Sequence, residues 1–190
     1  MPRQPLSLDD KKYLLSLARK AIIQAINHHS PPEIDFSTLS TELKSDGATF
    51  VTLTIKGQLR GCIGTLEAHQ PLAIDVREHA IAAALEDYRF PPVTAGELPS
   101  ITIEVSRLTF PVPLTYSDSD ALIQNLRPGI DGVILADGFR RATFLPQVWE
   151  QLPQAEDFLS HLCAKMGSNP DAWQKKHLAV SIYQVDEFHE

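Results

Sequence analysis

The sequence predicts an α+β fold in which a mostly antiparallel sheet is flanked by helices. Short stretches that alternate apolar and polar residues, as strands do, are interleaved with stretches whose apolar residues recur at helical spacing. Two connections between strands are short enough to be hairpins, over residues 50–66 and 132–145. Tight hairpins favour an antiparallel sheet covered by helices over a doubly wound parallel sheet.

The first predicted element is a helix that begins after Ser7. Ser7 can cap it, and Asp10 follows three residues later in capping-box spacing. Apolar residues then recur at helical spacing as far as Ile26, which predicts one buried stripe. We expect the helix to end before Pro31, because a proline ring disfavours helical geometry in the residue that precedes it.

Two strands are predicted next, over 50–55 and 59–66. Matching the apolar faces of the two strands requires a loop with an odd number of residues, so we predict a three-residue connection over 56–58. A two-residue turn would set Arg60 beside Ile55, which is a poorer match. The predicted hairpin places four polar residues on one face, away from the main apolar face: Thr52, Thr54, Arg60 and Cys62.

The rest of the chain alternates between helices and strands. A helix over 71–86 is apolar on so much of its circumference that we expect it to be buried. In the second hairpin, Asp137-Gly138 is a strong signal for a type I′ turn. The other predicted elements are strands over 100–107 and 178–185 and helices over 119–126, 146–152 and 155–166.

Composition excludes several classes of protein. A chain of 190 residues with 43% hydrophobic and 22% charged residues is an ordinary globular domain, predicted to span residues 1–190. The formal charge of −7 and the lack of a long basic run argue against nucleic-acid binding. No export signal and no membrane-spanning segment are visible, so we expect a cytoplasmic protein with reduced cysteines.

Cys62 is the best functional candidate, within the strand Leu59-Arg60-Gly61-Cys62-Ile63-Gly64. Gly61 and Gly64 weaken a strand unless something approaches closely, so they could leave room beside the sulfur. Arg60 could favour the thiolate or hold an anionic group. The alternative is that Cys62 packs under a helix and that the glycines permit close contact between strand and helix. Cys163 lies on a helical apolar stripe and is expected to be a core residue.

Two other residues are candidates for acid–base work. Glu104 lies in the middle of a strand, on the polar side of that strand. It needs a partner, which is either an ion pair with Arg60, Arg89 or Arg107 or a bound substrate. His79 lies on an apolar helical stripe, where a satisfied core histidine is more common than a base. If both converge on Cys62, they form a catalytic set of cysteine, histidine and acid. Such a set could also bind a transition metal, but the spacing matches no metal motif, so none is predicted.

The loop after the buried helix contributes a further pair. Asp87 and Arg89 are expected to cap and pin this loop before Pro91, or else to line a binding cleft.

The chain resembles the AMMECR family, the domain called protein A of the bacterial AmmeMemoRadiSam system. The resemblance runs in order along nearly the whole chain. It rests on Leu59-Arg60-Gly61-Cys62-Ile63-Gly64, Asp87-Tyr88-Arg89-Phe90, Ile103-Glu104-Val105-Ser106, Leu108-Thr109, Gly129, Gly132, Ala142-Thr143-Phe144-Leu145-Pro146-Gln147-Val148-Trp149, Phe158-Leu159 and Trp173.

This resemblance implies a larger and a smaller lobe with a cleft between them and the signature strand near that cleft. It also implies two partners, a Memo-type dioxygenase-like protein and a radical-SAM protein, but no cofactor and no established reaction. Three hypotheses follow: an enzyme that uses Cys62 on a small polar or anionic substrate, a non-catalytic subunit that docks on those partners, and a structural scaffold.

Overall fold

The structure, a computed structural model, describes residues 5–190, and this part of the chain contains six α-helices and ten strands. The helices are α1 (Leu8–Ile26), α2 (Thr41–Lys44), α3 (Leu72–Leu85), α4 (Ser119–Asn125), α5 (Ala155–Lys165) and α6 (Ala172–Lys175). The strands are β1 (Asp46–Gly47), β2 (Thr49–Ile55), β3 (Gln58–Gly64), β4 (Gln70–Pro71), β5 (Ile101–Leu108), β6 (Val112–Pro113), β7 (Gly132–Asp137), β8 (Arg140–Phe144), β9 (Ala179–Tyr183) and β10 (Val185–His189).

The strands form three sheets. Two have four strands, in the orders β10-β5-β2-β3 and β6-β9-β7-β8, and the third pairs β1 with β4. The ladders β1·β4, β2·β3, β2·β5, β6·β9, β7·β8 and β7·β9 are all antiparallel. The predicted α+β class with a mostly antiparallel sheet and flanking helices is confirmed.

The chain divides into two compact units, and each has its own apolar core. The first unit comprises residues 5–108 and 186–190, and its core packs α1 and α3 against the β10-β5-β2-β3 sheet. The second unit comprises residues 109–185, and its core joins α5 to the β6-β9-β7-β8 sheet. The prediction of a single domain over residues 1–190 stays a prediction. Within residues 5–190, no helix combines the length and the apolarity needed to cross a membrane.

Helix α1 follows its sequence signals closely. Ser7 is the N-cap and forms the predicted capping box with Asp10. The helix ends at Ile26, and His28 then takes a left-handed conformation with φ of 56°, ahead of the proline pair. The buried stripe of α1 packs on α3, and α3 packs on β2 and β3. One face of the first sheet is therefore covered by helices.

The predicted loop of the first hairpin is wrong, although the predicted pairing of Thr52 with Cys62 is confirmed. Ile55 pairs with Gln58, so the turn has two residues, Lys56 and Gly57, which both have positive φ (52° and 76°) as a type I′ turn requires. A β-bulge then inserts Arg60 as an extra residue between the pairs of the ladder. Beyond the bulge the register returns to the predicted one. The extra residue lies in the strand and not in the loop, so the pairing beyond it is the one that a three-residue loop would give.

The second hairpin also turns one residue later than predicted. Asp137 pairs with Arg140, so the turn residues are Gly138 and Phe139. Gly138 has φ of 63° and Phe139 does not have positive φ, which matches a type II′ turn with glycine first and not the predicted type I′. The helix predicted over 146–152 is a short 3₁₀ helix, Pro146–Glu150.

Candidate functional site

Cys62 lies on the face of the first sheet opposite the helices. It pairs directly with Thr52 on β2, and the Thr52 hydroxyl donates a hydrogen bond to its sulfur over 3.3 Å. Strand neighbours alternate between faces, so Val51 and Leu53, fully buried beneath the helices, point the other way. The Cys62 side chain is half-buried and reduced. Its sulfur is therefore held in place on a residue that is only half-buried.

The backbone of Cys62 is fixed by a fork of two side chains. β3 is at the edge of its sheet, so the outward N–H and C=O groups of this residue have no strand to bond. Asp87 Oδ2 accepts the Cys62 N–H over 2.8 Å, and Arg89 Nη2 donates to the Cys62 carbonyl over 3.2 Å. At Cys62 the two side chains of the fork bond the backbone groups that a neighbouring strand would otherwise bond.

The two members of the fork also hold each other. Arg89 Nε lies 2.9 Å from Asp87 Oδ1, and Arg89 Nη2 lies 2.7 Å from Asp87 Oδ2. These guanidinium hydrogen bonds hold the pKa of the buried Asp87 carboxyl far below its usual range, although burial opposes the effect. The Arg89 pKa is raised, chiefly by the same hydrogen bonds and further by the charges of Asp87 and Cys62. Arg89, with 43% of its side chain exposed, is thus the cation beside the thiol.

Arg60 is engaged elsewhere, which corrects the predicted role for it at the sulfur. The bulge directs it to Glu97, with Arg60 Nε 2.7 Å from Glu97 Oε1, and its Nη2 also donates to the carbonyl of Pro92. Hydrogen bonds from Arg60 and Thr94 lower the Glu97 pKa to about 2. Arg60 therefore ties the hairpin to the loop that follows α3.

The glycines of the signature strand make room for protein atoms and not for a ligand. A Cβ on Gly61 would lie 2.1 Å from the carbonyl oxygen of Ala83, so this glycine allows α3 to lie directly on the strand. A Cβ on Gly64 would lie 2.3 Å from the carbonyl oxygen of Thr49 and 2.5 Å from the ring of Phe50. The expectation that these glycines open space beside the sulfur is wrong, and close packing explains them.

Glu104 lies on the same face as Cys62, with Thr52 between them. Thr52 pairs with Cys62 on one side and with Glu104 on the other, which makes a row across three strands. Burial raises the Glu104 pKa, and the neighbouring Glu187 carboxyl raises it further, while His189 opposes them. Ionisation of Glu104 is therefore less favourable at this position than for an exposed glutamate.

The predicted ion pair of Glu104 with an arginine is wrong. Arg60 pairs with Glu97 and Arg89 pairs with Asp87. Arg107 is buried and interacts electrostatically with Asp186, Glu42 and Asp10.

His79 belongs to the opposite, helix-covered side of the sheet. Its Nδ1 lies 3.2 Å from Asp75 Oδ2, and the Thr49 hydroxyl donates to the same carboxylate oxygen over 2.6 Å. Asp75 and Thr49 are fully buried. Thr49 and Thr52 differ by an odd number of residues along β2, so they point to opposite faces. Cys62, Glu104 and His79 therefore do not converge.

Sequence reasoning missed several members of the site. Glu187 and His189 reach Glu104 from the last strand, and the alternation around the buried Phe188 is the signal that could have placed them on this face. Thr52 was placed on the correct face but without its bond to the sulfur. Among residues 5–190, no group of three or more His, Cys, Asp or Glu side chains could hold a metal ion.

Comparisons with known proteins agree on one family. The family model described as AMMECR1 matches residues 15–188. A protein of Methanothermobacter thermautotrophicus is 38% identical over 195 residues, covering 100% of this chain and 99% of the relative. A protein of Thermofilum pendens is 36% identical over 198 residues, covering 96% of this chain and 91% of the relative.

A solved structure extends the similarity to the fold. The crystal structure of an uncharacterized protein from Pyrococcus horikoshii superimposes with a TM-score of 0.79 at 32% identity, covering 95% of this chain and 91% of that one. These similarities extend across both compact units.

Proposed function

The chain belongs to the AMMECR1 family, and from that premise we propose that its first sheet binds a small polar or anionic metabolite at Cys62. The thiol reacts with this metabolite or holds it for a partner. One observation carries the proposal: three side chains converge on one half-buried cysteine, with Thr52 on its sulfur and Asp87 and Arg89 on its backbone. Packing alone would not require the bond to the sulfur.

The contacts suit a nucleophilic thiol. The Thr52 hydroxyl donates to the sulfur, and the Arg89 guanidinium bonds the carbonyl of the same residue, so the thiol is held beside a cation. When a thiolate adds to a carbonyl carbon, an S–C bond forms and the π electron pair moves to oxygen, which then takes a proton. Solvent water could supply that proton.

The row of side chains limits the size of the substrate. Glu104 lies two strands from Cys62, which is about 10 Å between strand axes. A small metabolite lying along the row would contact both residues. Arg89 would attract an anionic group at the cysteine end, because its guanidinium is partly exposed there.

The proposal extends to two proteins, a Memo-type dioxygenase-like protein and a radical-SAM protein. In this role the chain supplies a metabolite to them or receives one from them, and the thiol protects it in transit. Contacts for such exchange need only be transient.

A second candidate is a docking subunit without catalysis. The observation that favours it is Tyr88, which is 93% exposed between the two members of the fork. Aromatic side chains exposed to this extent are frequent anchors at protein interfaces.

One experiment separates the two functions. Cells carrying Cys62→Ser, Tyr88→Ala or the control Phe36→Ser would be compared with wild type by untargeted metabolite profiling, and co-purification with both partners would be measured in parallel. The thiol function predicts an altered metabolite pool in Cys62→Ser, with co-purification intact. Loss of co-purification in Tyr88→Ala, with an unchanged pool in Cys62→Ser, would favour docking.

A further inference from the structure

Two backbone hydrogen bonds fix the register of β10 on β5, its neighbour in the first sheet. The Glu190 N–H donates to the carbonyl of Ile103 over 3.1 Å, and the Thr109 N–H donates to the carbonyl of Gln184 over 2.8 Å. Residue numbers rise along one strand while they fall along the other, so the strands are antiparallel. Residues joined by such a bond lie opposite each other, and both bonds give the same register.

This register places His189 directly opposite Glu104. Since Cys62 pairs with Thr52 and Thr52 pairs with Glu104, the row on the polar face now crosses all four strands and ends at His189. Phe188, the preceding residue, is buried in the core of the first unit, as alternation along a strand requires. An exposed imidazole therefore lies in the same row as the thiol.

The two ring nitrogens of His189 have different roles. Its Nδ1 lies 2.9 Å from the main-chain oxygen of Glu190. That oxygen can only accept a hydrogen bond, so Nδ1 carries the proton and Nε2 of the neutral ring is an acceptor. The imidazole therefore suits a ligand group that donates hydrogen bonds.

Glu104 calls for the same kind of ligand group. Its carboxylate accepts hydrogen bonds, and it is half-buried opposite the imidazole. Burial and the Glu187 carboxyl both make its ionisation less favourable, and a positive charge placed beside it would oppose both effects. A primary ammonium carries that charge together with three donors.

We propose that Glu104 and His189 form a second subsite of the Cys62 site and that this subsite binds a primary ammonium group of the substrate. The inference rests on the proposed function, because it takes the substrate to be in contact with Cys62. Measured across the strands, Glu104 lies about 10 Å and His189 about 14 Å from the cysteine. The substrate is therefore an extended amine with its reacting carbon at the opposite end. An anionic group beside Arg89 would make it a zwitterion.

Two other ligand groups fit this subsite less well. A carboxylate would meet the Glu104 carboxylate and the lone pair of His189 Nε2, and both of these repel it. A hydroxyl has one proton, so it could donate to only one of the two acceptors. An ammonium donates to both.

The test compares thiol reagents that differ only in their tails. Iodoacetamides with aminohexyl, hydroxyhexyl and aminoethyl tails would react with the whole chain at neutral pH. The labelling rate of Cys62, divided by the rate with glutathione, would be measured by peptide mass spectrometry. We expect the aminohexyl reagent to be roughly tenfold faster than the hydroxyhexyl reagent, because its bound ammonium holds it at the thiol. The aminoethyl reagent should have no such advantage, since its amine is too close to the sulfur to reach the subsite.

Variants assign this advantage to particular side chains. Glu104→Gln and His189→Leu should each remove most of the aminohexyl advantage and leave labelling by the hydroxyhexyl reagent unchanged. Glu33→Gln and His29→Leu are the matched controls, because both residues are exposed in the segment between α1 and α2. Both controls should keep the full advantage.

The possible failures separate the subsite from the thiol. Equal relative rates for the two hexyl reagents would overturn the subsite and leave the thiol function standing, because Cys62 would still react in the folded protein. An advantage that survives both Glu104→Gln and His189→Leu, or that Glu33→Gln also removes, would overturn the subsite too. If no reagent labels Cys62 before unfolding, the proposed function fails and the subsite fails with it. The comparison of reagents on the wild-type chain holds even if a variant does not fold.

Discussion

The two faces of the first sheet differ in how tightly they are packed, and successive residues of β3 point to opposite faces. Gly61 faces the helices, where one added carbon atom would collide with the backbone of α3. Cys62, the next residue, faces away from the helices, is half-buried and accepts a hydrogen bond from Thr52 at its sulfur. The packed face leaves no space for an added atom at Gly61, whereas the polar face holds the Cys62 sulfur in place with one hydrogen bond.

Polar residues show the same contrast. On the packed face Thr49, Asp75 and His79 satisfy one another in the core, where their hydrogen bonds offset the cost of burial. On the polar face, burial and the neighbouring Glu187 carboxyl both raise the Glu104 pKa, so ionisation of Glu104 destabilises the folded protein. The titratable groups that bond one another in the core and the candidate site residues Cys62 and Glu104 therefore lie on opposite sides of the sheet.

The largest expected effect comes from the packed face. Gly61→Ala places a Cβ 2.1 Å from the Ala83 carbonyl oxygen, so β3 and α3 must separate. We expect a loss of about 3 kcal/mol in the free energy of unfolding, measured by urea denaturation. Gly96→Ala is the matched control, because a Cβ there meets nothing within 4 Å. Equal stability of the two variants would show that β3 and α3 are not tightly packed at Gly61.

The fork at the strand edge should give the next largest effect. Asp87→Asn removes the charge that holds Arg89, and we expect a loss of about 2 kcal/mol at neutral pH. Because the folded pKa of Asp87 is lowered, its contribution is complete above the unfolded value of about 3.9 and declines as pH falls below it. The difference from wild type should therefore shrink in acid.

Urea titrations at neutral and acidic pH would measure this. Lys175→Gln, which removes an exposed ion pair with Asp171, should cost less than about 1 kcal/mol. A difference between Asp87→Asn and wild type that stays constant down to strong acid would contradict the assignment.

Glu104→Gln should have a smaller effect, of opposite sign. The raised folded pKa means that the protonated acid favours the fold, and this contribution is lost as pH rises through the folded pKa. A neutral glutamine avoids that loss, so the variant should be more stable than wild type above that pKa, by up to about 1 kcal/mol, and equal to it at low pH. Thermal melts across this range would measure it. A variant less stable at high pH would show that the carboxylate has an attractive partner.

Sequence patterns anticipated the fold better than the site, and the residues show why. Alternation and capping are local, so α1, β2 and β5 were predicted within a residue or two at most boundaries. The bulged residue Arg60 bonds Glu97, which belongs to a loop distant in sequence. No local pattern specifies such a bond.

The same limit applies to the partners of the candidate residues. Cys62 and Glu104 were predicted on polar faces from alternation alone, and this is confirmed. The position of His79 on the other side of the sheet depends on how α3 packs against the sheet. The apolar stripe of the helix does not reveal that packing. Whether these residues act in catalysis stays a prediction.

The most direct test of the polar face is native alkylation of the two cysteines. Iodoacetamide at neutral pH, followed by peptide mass spectrometry, should label Cys62 in the folded protein and Cys163 only after unfolding, because Cys163 is fully buried. Thr52→Val should slow the labelling of Cys62, since it removes the hydrogen bond to sulfur, while Thr54→Val should not. If Cys62 is labelled only in denaturant, together with Cys163, the thiol is a core group and the polar face carries no reactive atom.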